Sequence, residues 1–387
     1  MSDSTQQERE RTDRTQQEAD TQQGSDETDS TQQGSEDIVT LAHGAGAGTM
    51  RSLVDDLVVS RFADDESAND ESAGGGGSAG EVSLPDLDDG AAHPVGDGTH
   101  SVVVTTDSHV VSPPTFPGGD IGRLAVAGTV NDLAVMGATE ALSLTCSLVV
   151  EEGYPMAALE DVLASMQAAC EEAGASITTG DTKVMGSGEL DGPVINTTGV
   201  AFLPGERVVP DAGVSPDDAI IVSGPIGDHG IALLSAREGF EIGGDLESDV
   251  APVNGLVRAA REAGEVTAMK DPTRGGLATT LNEMATKSGV GLELDEREIP
   301  VDDATAAAGE VLGIDPFQVA NEGKVVLAVD ADDADAVLDA IRAHPLGREA
   351  AIVGQATDDH TGRVVLDTGF GRRYLSEPEG QALPRIC

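Results

Sequence analysis

Asp107, Asp132, Asp181 and Asp271 stand where a folded chain would place ligands for a hard cation. Asp107 follows the apolar run Val102-Val103-Val104-Thr105-Thr106. Asp181 follows Gly180, and Asp271 opens Asp271-Pro272-Thr273-Arg274-Gly275-Gly276. Asn131 and Asp132 interrupt an apolar stretch, with Leu124-Ala125-Val126-Ala127 before them and Leu133-Ala134-Val135 after. A charge on such a face is costly unless it is paired or bound to a cation, so Asp132 is the strongest single case. Oxygen ligands at loop positions suit Mg²⁺ holding nucleotide phosphates, although any one aspartate at a strand end is an ordinary turn residue. Lysines are scarce: Lys183, Lys270, Lys287 and Lys324 are all there are. Lys183, just after Asp181-Thr182, is placed to pair with a carboxylate or a phosphate. Glu322, in Asn321-Glu322-Gly323-Lys324, is either a surface turn acid or a general base. Cys387 closes the sequence after a polar stretch, which reads as a reactive thiol on a mobile arm. Cys146 and Cys170 sit in apolar contexts and read as core residues.

The elements that must carry these groups follow from the apolar pattern. Ile38 to Leu41 reads as a short strand before the glycine-rich residues 44–48, and 50–62 as a helix with Met50, Leu53, Leu57, Val58 and Phe62 on one side. Residues 102–106 read as a buried strand and 121–136 as an apolar helix. A strand at 141–150 and an amphipathic helix at 155–173 follow, the helix bounded by Pro155 and Gly174. Ile177 to Asp181 is a strand running into a loop. The Pro/Gly/Asp-rich residues 208–218 separate this half from a second, with helices near 229–238, 250–263, 275–288 and 331–343. The second half begins at Ala219-Ile220-Ile221-Val222-Ser223-Gly224, and its strands fall near 265–269, 324–329 and 350–354. Strands mixed with helices in both halves predict two α/β (α+β) domains, 38–207 and 208–370. Residues 371–387 read as a mobile tail.

Composition bounds the partners. Of 387 residues, 22 are Lys or Arg and 70 are Asp or Glu, a net charge of −48. Phosphate backbones need a basic surface, which excludes a simple nucleic-acid binder. Anionic membrane surfaces are excluded on the same ground, and no apolar run is long enough to span a bilayer. The acids are spread along the chain, which reads as adaptation to concentrated salt and resembles the composition of haloarchaeal proteins. The polar N-terminus and three cysteines predict a cytoplasmic protein without a disulfide framework. Residues 1–37, with Thr-Gln-Gln repeats and few apolar side chains, read as a disordered acidic tail. The acidic stretch 64–90, with Gly74 to Gly77, reads as a flexible insertion.

Taken together, the motifs resemble the HypE family of carbamoyl dehydratases in the AIR-synthase-like (PurM-like) superfamily. The carriers are His43-Gly44-Ala45-Gly46, Thr106-Asp107-Ser108, Phe116-Pro117-Gly118-Gly119, Asn131-Asp132-Leu133-Ala134 and Glu151-Glu152-Gly153. Thr179-Gly180-Asp181-Thr182-Lys183-Val184, the Ser223 to Gly230 loop, Asp271 to Gly276, Asn321 to Lys324 and the final Pro384-Arg385-Ile386-Cys387 complete the set. The last is what points to this family within the superfamily. The resemblance implies a homodimer of two-domain PurM-like chains with mixed sheets packed by helices, and ATP with Mg²⁺ in the N-terminal domain. Its metal ligands would be Asp107, Asp132, Asp181 and Asp271. Asp107, Asn131, Gly180, Asp181, Thr182 and Thr273 would hold the nucleotide. Cys387 would carry a carbamoyl group from the carbamoyltransferase HypF, to be dehydrated to thiocyanate with Glu322 and Lys183 as catalytic residues. The cyano group would pass to iron on a HypC–HypD complex for a [NiFe]-hydrogenase. His43 and His229 are reserve acid–base candidates, and Arg385 an anchor for the arm. One departure stands out: the family's glycine loop usually continues Gly-Gly-Lys, whereas here it reads Ala47-Gly48 after Gly46, without the lysine. Other members of the superfamily, small-molecule kinases or ligases, would not need Cys387, and a non-catalytic maturation scaffold would not need ATP.

Overall fold

A computed structural model of the chain describes residues 39–40, 43, 47–63, 81–140, 142–239 and 246–378. The expected tail at 1–37, the glycines at 44–46, the insertion at 64–80 and the terminal 379–387, including Arg385 and Cys387, lie outside these.

The N-terminal half is built on a five-stranded sheet. Its strands are β1 (Ala91–Val95), β2 (His100–His109), β5 (Ser143–Glu151), β6 (Ser176–Met185) and β7 (Val194–Pro204), in the order β1-β2-β7-β5-β6. Neighbours are antiparallel except β5 and β6, which run parallel. A two-stranded ribbon, β3 (Thr115–Phe116) and β4 (Gly119–Asp120), precedes helix α2 (Ile121–Val135). Asp120 caps that helix through the Arg123 amide. Helix α2 is apolar on nearly every side because the sheet lies on one side of it and other helices lie on the rest. Ile121, Leu124 and Leu133 are wholly buried, each stabilising the fold by about 1.5–3 kcal/mol. The run 102–106 is not a uniformly buried strand. Strand β2 buries alternate residues, Ser101, Val103 and Thr105, because only one face of this sheet is covered. Helix α3 (Met156–Ala173) covers part of that face, with Gly174 at φ 67° ending it.

The C-terminal half carries a seven-stranded sheet. Its members are β8 (Ala219–Val222), β9 (Val266–Lys270), β10 (Gly291–Asp295), β11 (Val326–Val329), β12 (Ala351–Thr357), β13 (Val364–Asp367) and β14 (Arg372–Tyr374). The order is β14-β13-β10-β12-β8-β11-β9, and only β10 and β13 are parallel. Both faces are covered, so β8 and β11 are apolar at every position. Ile220, Val222, Val326 and Ala328 pack under α6 (Gly276–Ser288). Ile221, Leu327 and Val329 pack under α5 (Asn254–Ala263) and α8 (Ala334–Ala343). That second core also takes in Ala134 and Val135 of α2, which joins the halves. Helices α4 (Asp228–Glu238) and α7 (Asp303–Leu312) complete the half.

Several expectations change. Residues 177–181 do not run into a loop: β6 continues to Met185, so Asp181 is mid-strand. Strands β1, β7, β10, β13 and β14 and helix α7 are not among the expected elements. The tail does not begin at 371, since β14 pairs with β13 and Leu375 is buried. Nor is the whole of 64–90 loose. Val82 bridges to Ala92, and Ser83 and Asp86 close a capping box on the turn Leu84–Asp86. Helix α1 (Ala47–Val54) runs on through a π-helical turn (Asp55–Val59) to Phe62, close to the helix expected at 50–62.

Candidate active site

A cleft of about 320 Å³ opens between the halves and is lined by Asp89, Asp107, Asp132, Asp271, Thr273 and Glu322, among others. Each side chain arrives from a different element. Asp107 comes from the outer end of β2, Asp132 from the last turn of α2, and Asp271 from the residue after β9. Glu322 comes from the turn before β11, and Asp89 from the loop ahead of β1. One carboxylate oxygen from each of Asp89, Asp132 and Asp271 lies within 4.8 Å of the other two. Asp132 accepts a hydrogen bond from Thr105 Oγ1 at 2.7 Å, which aims its carboxylate.

Burial and mutual repulsion dominate the electrostatics of the cleft. Burial, then the charges of Asp107, Asp271 and Asp89, pushes Asp132 well above the usual carboxylate range. Burial and Asp89 do the same to Asp271. Burial, with Asp271, Asp249 and Asp107, raises Glu322 well above its ordinary value. Asp89 Oδ2, Asp107 Oδ2 and Asp271 Oδ2 are buried with no hydrogen-bond partner. Buried, unpartnered anionic oxygens pointing into one space are the donor set a divalent cation needs.

A cationic brace stands behind the cluster. Lys270 Nζ lies 2.7 Å from Asp89 Oδ1, 3.1 Å from Asp211 Oδ2 and 3.5 Å from Glu283 Oε2. Burial alone would lower its pKa, but Asp89, Asp211 and Glu283 hold the ammonium well above the usual value. Lys287 Nζ reaches Asp211 Oδ2 at 2.6 Å and the Leu87 carbonyl at 2.7 Å. Arg51 of α1 pairs with Glu283. Asp88 accepts the Asp89 and Asp211 amides, and burial with its acidic neighbours raises it to about 7.

The sequence-predicted residues divide into three groups. Asp107, Asp132, Asp271, Thr273 and Glu322 converge on the cleft. Asn131 is adjacent but faces away, its amide bonded to the Ala251 and Glu322 carbonyls and to the Val253 amide. Gly180, Asp181, Thr182 and Lys183 do not reach the cleft of their own chain. They lie on β6, an exposed edge strand, where Asp181 and Lys183 pair with each other at 2.8 Å. The Lys183 hydrogen bond holds Asp181 below its ordinary value. Gly180 has a local reason to be glycine: a Cβ there would lie 2.0 Å from the Cys146 carbonyl oxygen on β5. His43 closes a turn with Thr40, and His229 is buried against Ser248 and Phe116.

Asp89, Asp88, Asp211 and Lys270 were missed. Asp88 and Asp89 sit at the end of an acidic, glycine-containing stretch, which hides them. The signal available was slight: they sit directly before the short strand Ala91–Val95.

The comparisons agree with this architecture. The model of the AIR synthase related protein N-terminal domain matches residues 87–203, and that of the C-terminal domain 215–367. The chain is 45% identical over 354 residues to carbamoyl dehydratase HypE of Rhizobium leguminosarum bv. viciae, covering 90% of this chain and 95% of that one. Its fold is similar to HypE in a HypE–HypF complex, at TM-score 0.75 and 37% identity, covering 84% of this chain and 100% of the other. It is also similar to HypE in complex with ATP, at TM-score 0.72 and 37% identity, covering 90% and 100%. With most of its length matched by both domain models and at this identity, the chain belongs to the carbamoyl dehydratase HypE family of AIR synthase related proteins.

Proposed function

We propose that this chain is an ATP-dependent carbamoyl dehydratase of hydrogenase maturation. The observation that carries the reading is the convergence of Asp89, Asp132 and Asp271 in one cleft with Glu322. Asp89, Asp132, Asp271 and Asp107 would hold Mg²⁺, and the buried unpartnered oxygens of Asp89, Asp107 and Asp271 fit it. When bound, the ion neutralises the triphosphate and the charge that develops on phosphoryl transfer. The substrate would be a thiocarbamate on Cys387, S–C(=O)–NH₂.

The carbonyl oxygen of this group is a poor leaving group. It attacks the ATP γ-phosphorus, forming a C–O–P bond and releasing ADP, while one N–H proton leaves the nitrogen. Loss of the second N–H proton then forms C≡N as the C–O bond breaks and phosphate departs, leaving S–C≡N. Glu322 is the candidate acceptor of an N–H proton. Burial and the charges of Asp271, Asp249 and Asp107 raise its proton affinity above that of an ordinary glutamate, which favours taking up a proton. Thr273 and Arg274 line the cleft beside Asp271, where they can orient phosphate.

The partners follow from the same reading: HypF as the donor of the carbamoyl group, and a HypC–HypD iron complex as acceptor of the cyano group. A homodimer is supported by the open face of the five-stranded sheet, which exposes Val200 and Phe202. Apolar groups gathered on one open face favour a protein partner. A second copy there is the route by which Asp181, Thr182 and Lys183 would serve a cleft. No helix among the described residues is long and apolar enough to cross a membrane.

The test is the mass of the C-terminal peptide after incubation with HypF, carbamoyl phosphate and Mg-ATP in high salt. A carbamoyl adduct on Cys387 that loses one water only when ATP is present supports the reading. An unmodified Cys387, with HypF shown to be active, overturns it.

A further inference from the structure

Glu322 is held by its backbone on both sides. Its amide donates to Asp249 Oδ1 at 3.0 Å. Its carbonyl accepts from Asn131 Nδ2 at 3.1 Å and from the Ala251 amide at 3.2 Å. Asn131 also donates to the Ala251 carbonyl at 3.2 Å, and its Oδ1 accepts from the Val253 amide at 2.8 Å. It is 1% exposed, and its amide is satisfied at both ends by backbone groups. Asp249 is fixed in turn by Lys324 Nζ at 3.1 Å. The preceding residue, Asn321, donates twice to the Pro272 carbonyl, from its amide at 3.0 Å and from Nδ2 at 3.1 Å. Gly323 is pressed on the same strap, where a Cβ would lie 1.9 Å from the Asp249 carbonyl oxygen.

These bonds join residues adjacent in sequence to the carboxylate cluster. Asn131 precedes Asp132 on α2, and Pro272 follows Asp271. The strap 248–253 is itself stitched to the N-terminal half, by Ser248 N–H to the Pro117 carbonyl and by Arg123 to the Val250 carbonyl. We infer that Asn131 is a positioning residue: it sets the placement of Glu322 relative to Asp132 and does not bind nucleotide. This rests on the reading of Glu322 as the base. The physical reason is distance. Proton transfer needs Glu322 within hydrogen-bond reach of the substrate nitrogen, and a displacement of about 1 Å costs up to about 100-fold in rate. Nucleotide affinity depends on the carboxylates and phosphate contacts, which Asn131 does not touch.

Asn131→Asp keeps the shape and the acceptor for Val253 but turns the donor into an oxygen facing two carbonyls. Asn131→Ser removes the span and stands in should the first variant fail to fold. Each is compared with the unmodified chain for Mg-ATP Kd by calorimetry and for the single-turnover rate of dehydration on the carbamoylated protein. The expected result is a Kd within about twofold and a rate about 10- to 100-fold lower. Asp249→Asn, which disturbs the other side of the same seat, is expected to show the same split. A Kd weakened in step with the rate would make Asn131 a nucleotide ligand and overturn the inference. So would a lowered melting temperature with both constants unchanged, which marks a purely structural role. Glu322→Gln, run in parallel, separates the two readings. If it turns over normally, the assignment of the base fails, whereas an inactive Glu322→Gln beside Asn131 variants that turn over like the parent sinks the positioning role alone.

Discussion

Lys270 Nζ and Asp89 Oδ1, 2.7 Å apart, join the last residue of β9 to the loop ahead of β1 and so tie the second sheet to the entrance of the first. Both side chains are largely buried, at 8% and 14% exposure. In a chain of charge −48, a lysine placed here is a counter-ion for the carboxylates that the cleft brings together.

Lys270→Met should therefore destabilise the protein by about 3–5 kcal/mol, because it strands Asp89 as an unpaired buried charge and leaves Asp211 to Lys287 alone and Glu283 to Arg51 alone. Denaturant unfolding at a fixed high salt concentration measures this. A loss below about 1 kcal/mol would show that the brace is not holding the halves.

Asp271→Asn should act in opposite directions on stability and on metal binding. Without metal it relieves repulsion with Asp89 and raises the melting temperature. With Mn²⁺ as a spectroscopic probe, its affinity should fall by more than about tenfold. Electron paramagnetic resonance titration and thermal melting on the same sample read the two effects. Unchanged Mn²⁺ affinity would remove Asp271 from the ligand set.

Asp228 provides a pH signature away from the cluster. Burial raises it to about 6, even though Thr305 Oγ1 donates to it at 2.6 Å. An acid with a raised folded pKa binds its proton more tightly in the folded state. Its cost to stability is absent below the unfolded pKa near 3.8, grows as pH rises, and is complete above about 6. Asp228→Asn should match the parent near pH 4 and exceed it at pH 7 by up to about 3 kcal/mol. A stability difference independent of pH between 4 and 7 would contradict this.

Phe202→Asp places a charge in the open face of the first sheet, beside the ring of His100, which stacks on Phe202 at 5.0 Å. If a second copy covers this face, light scattering should show the mass fall from dimer to monomer, with thermal stability of the chain itself nearly unchanged. A parent protein that is already monomeric in high salt would refute the dimer through this face.

Salt should stabilise the fold throughout. The Debye length falls from about 10 Å at 0.1 M to about 3 Å at 1 M, so the mutual repulsion of the acids shrinks. Melting temperature should climb steadily between 0.1 M and 3 M KCl. A flat profile would mean that the acidic surface is not a salt adaptation.

Local pattern alone determined much of this protein. The apolar pattern located α2, α3, β9 and β11 to within a few residues: α3 by the helical period of its one buried stripe, α2 and β11 by the unbroken apolar runs that cover on both sides requires. Asp132, Asp107, Asp271 and Glu322 were legible as candidate site residues because carboxylates beside apolar runs have no cheap place in a core. Tertiary structure decided the rest. Asp89 hides in a glycine-containing acidic stretch, and only the fold brings it to Asp132 and Asp271. Asn131 and Asp132 are neighbours in sequence, yet the helical turn of about 100° per residue sends one amide to the strap and one carboxylate to the cleft. Asp181 and Lys183 carry the right chemistry, but β6 is an edge strand and leaves them outside the cleft of their own chain. Which carboxylates share a site depends on long-range packing between two sheets, and no local pattern encodes that distance.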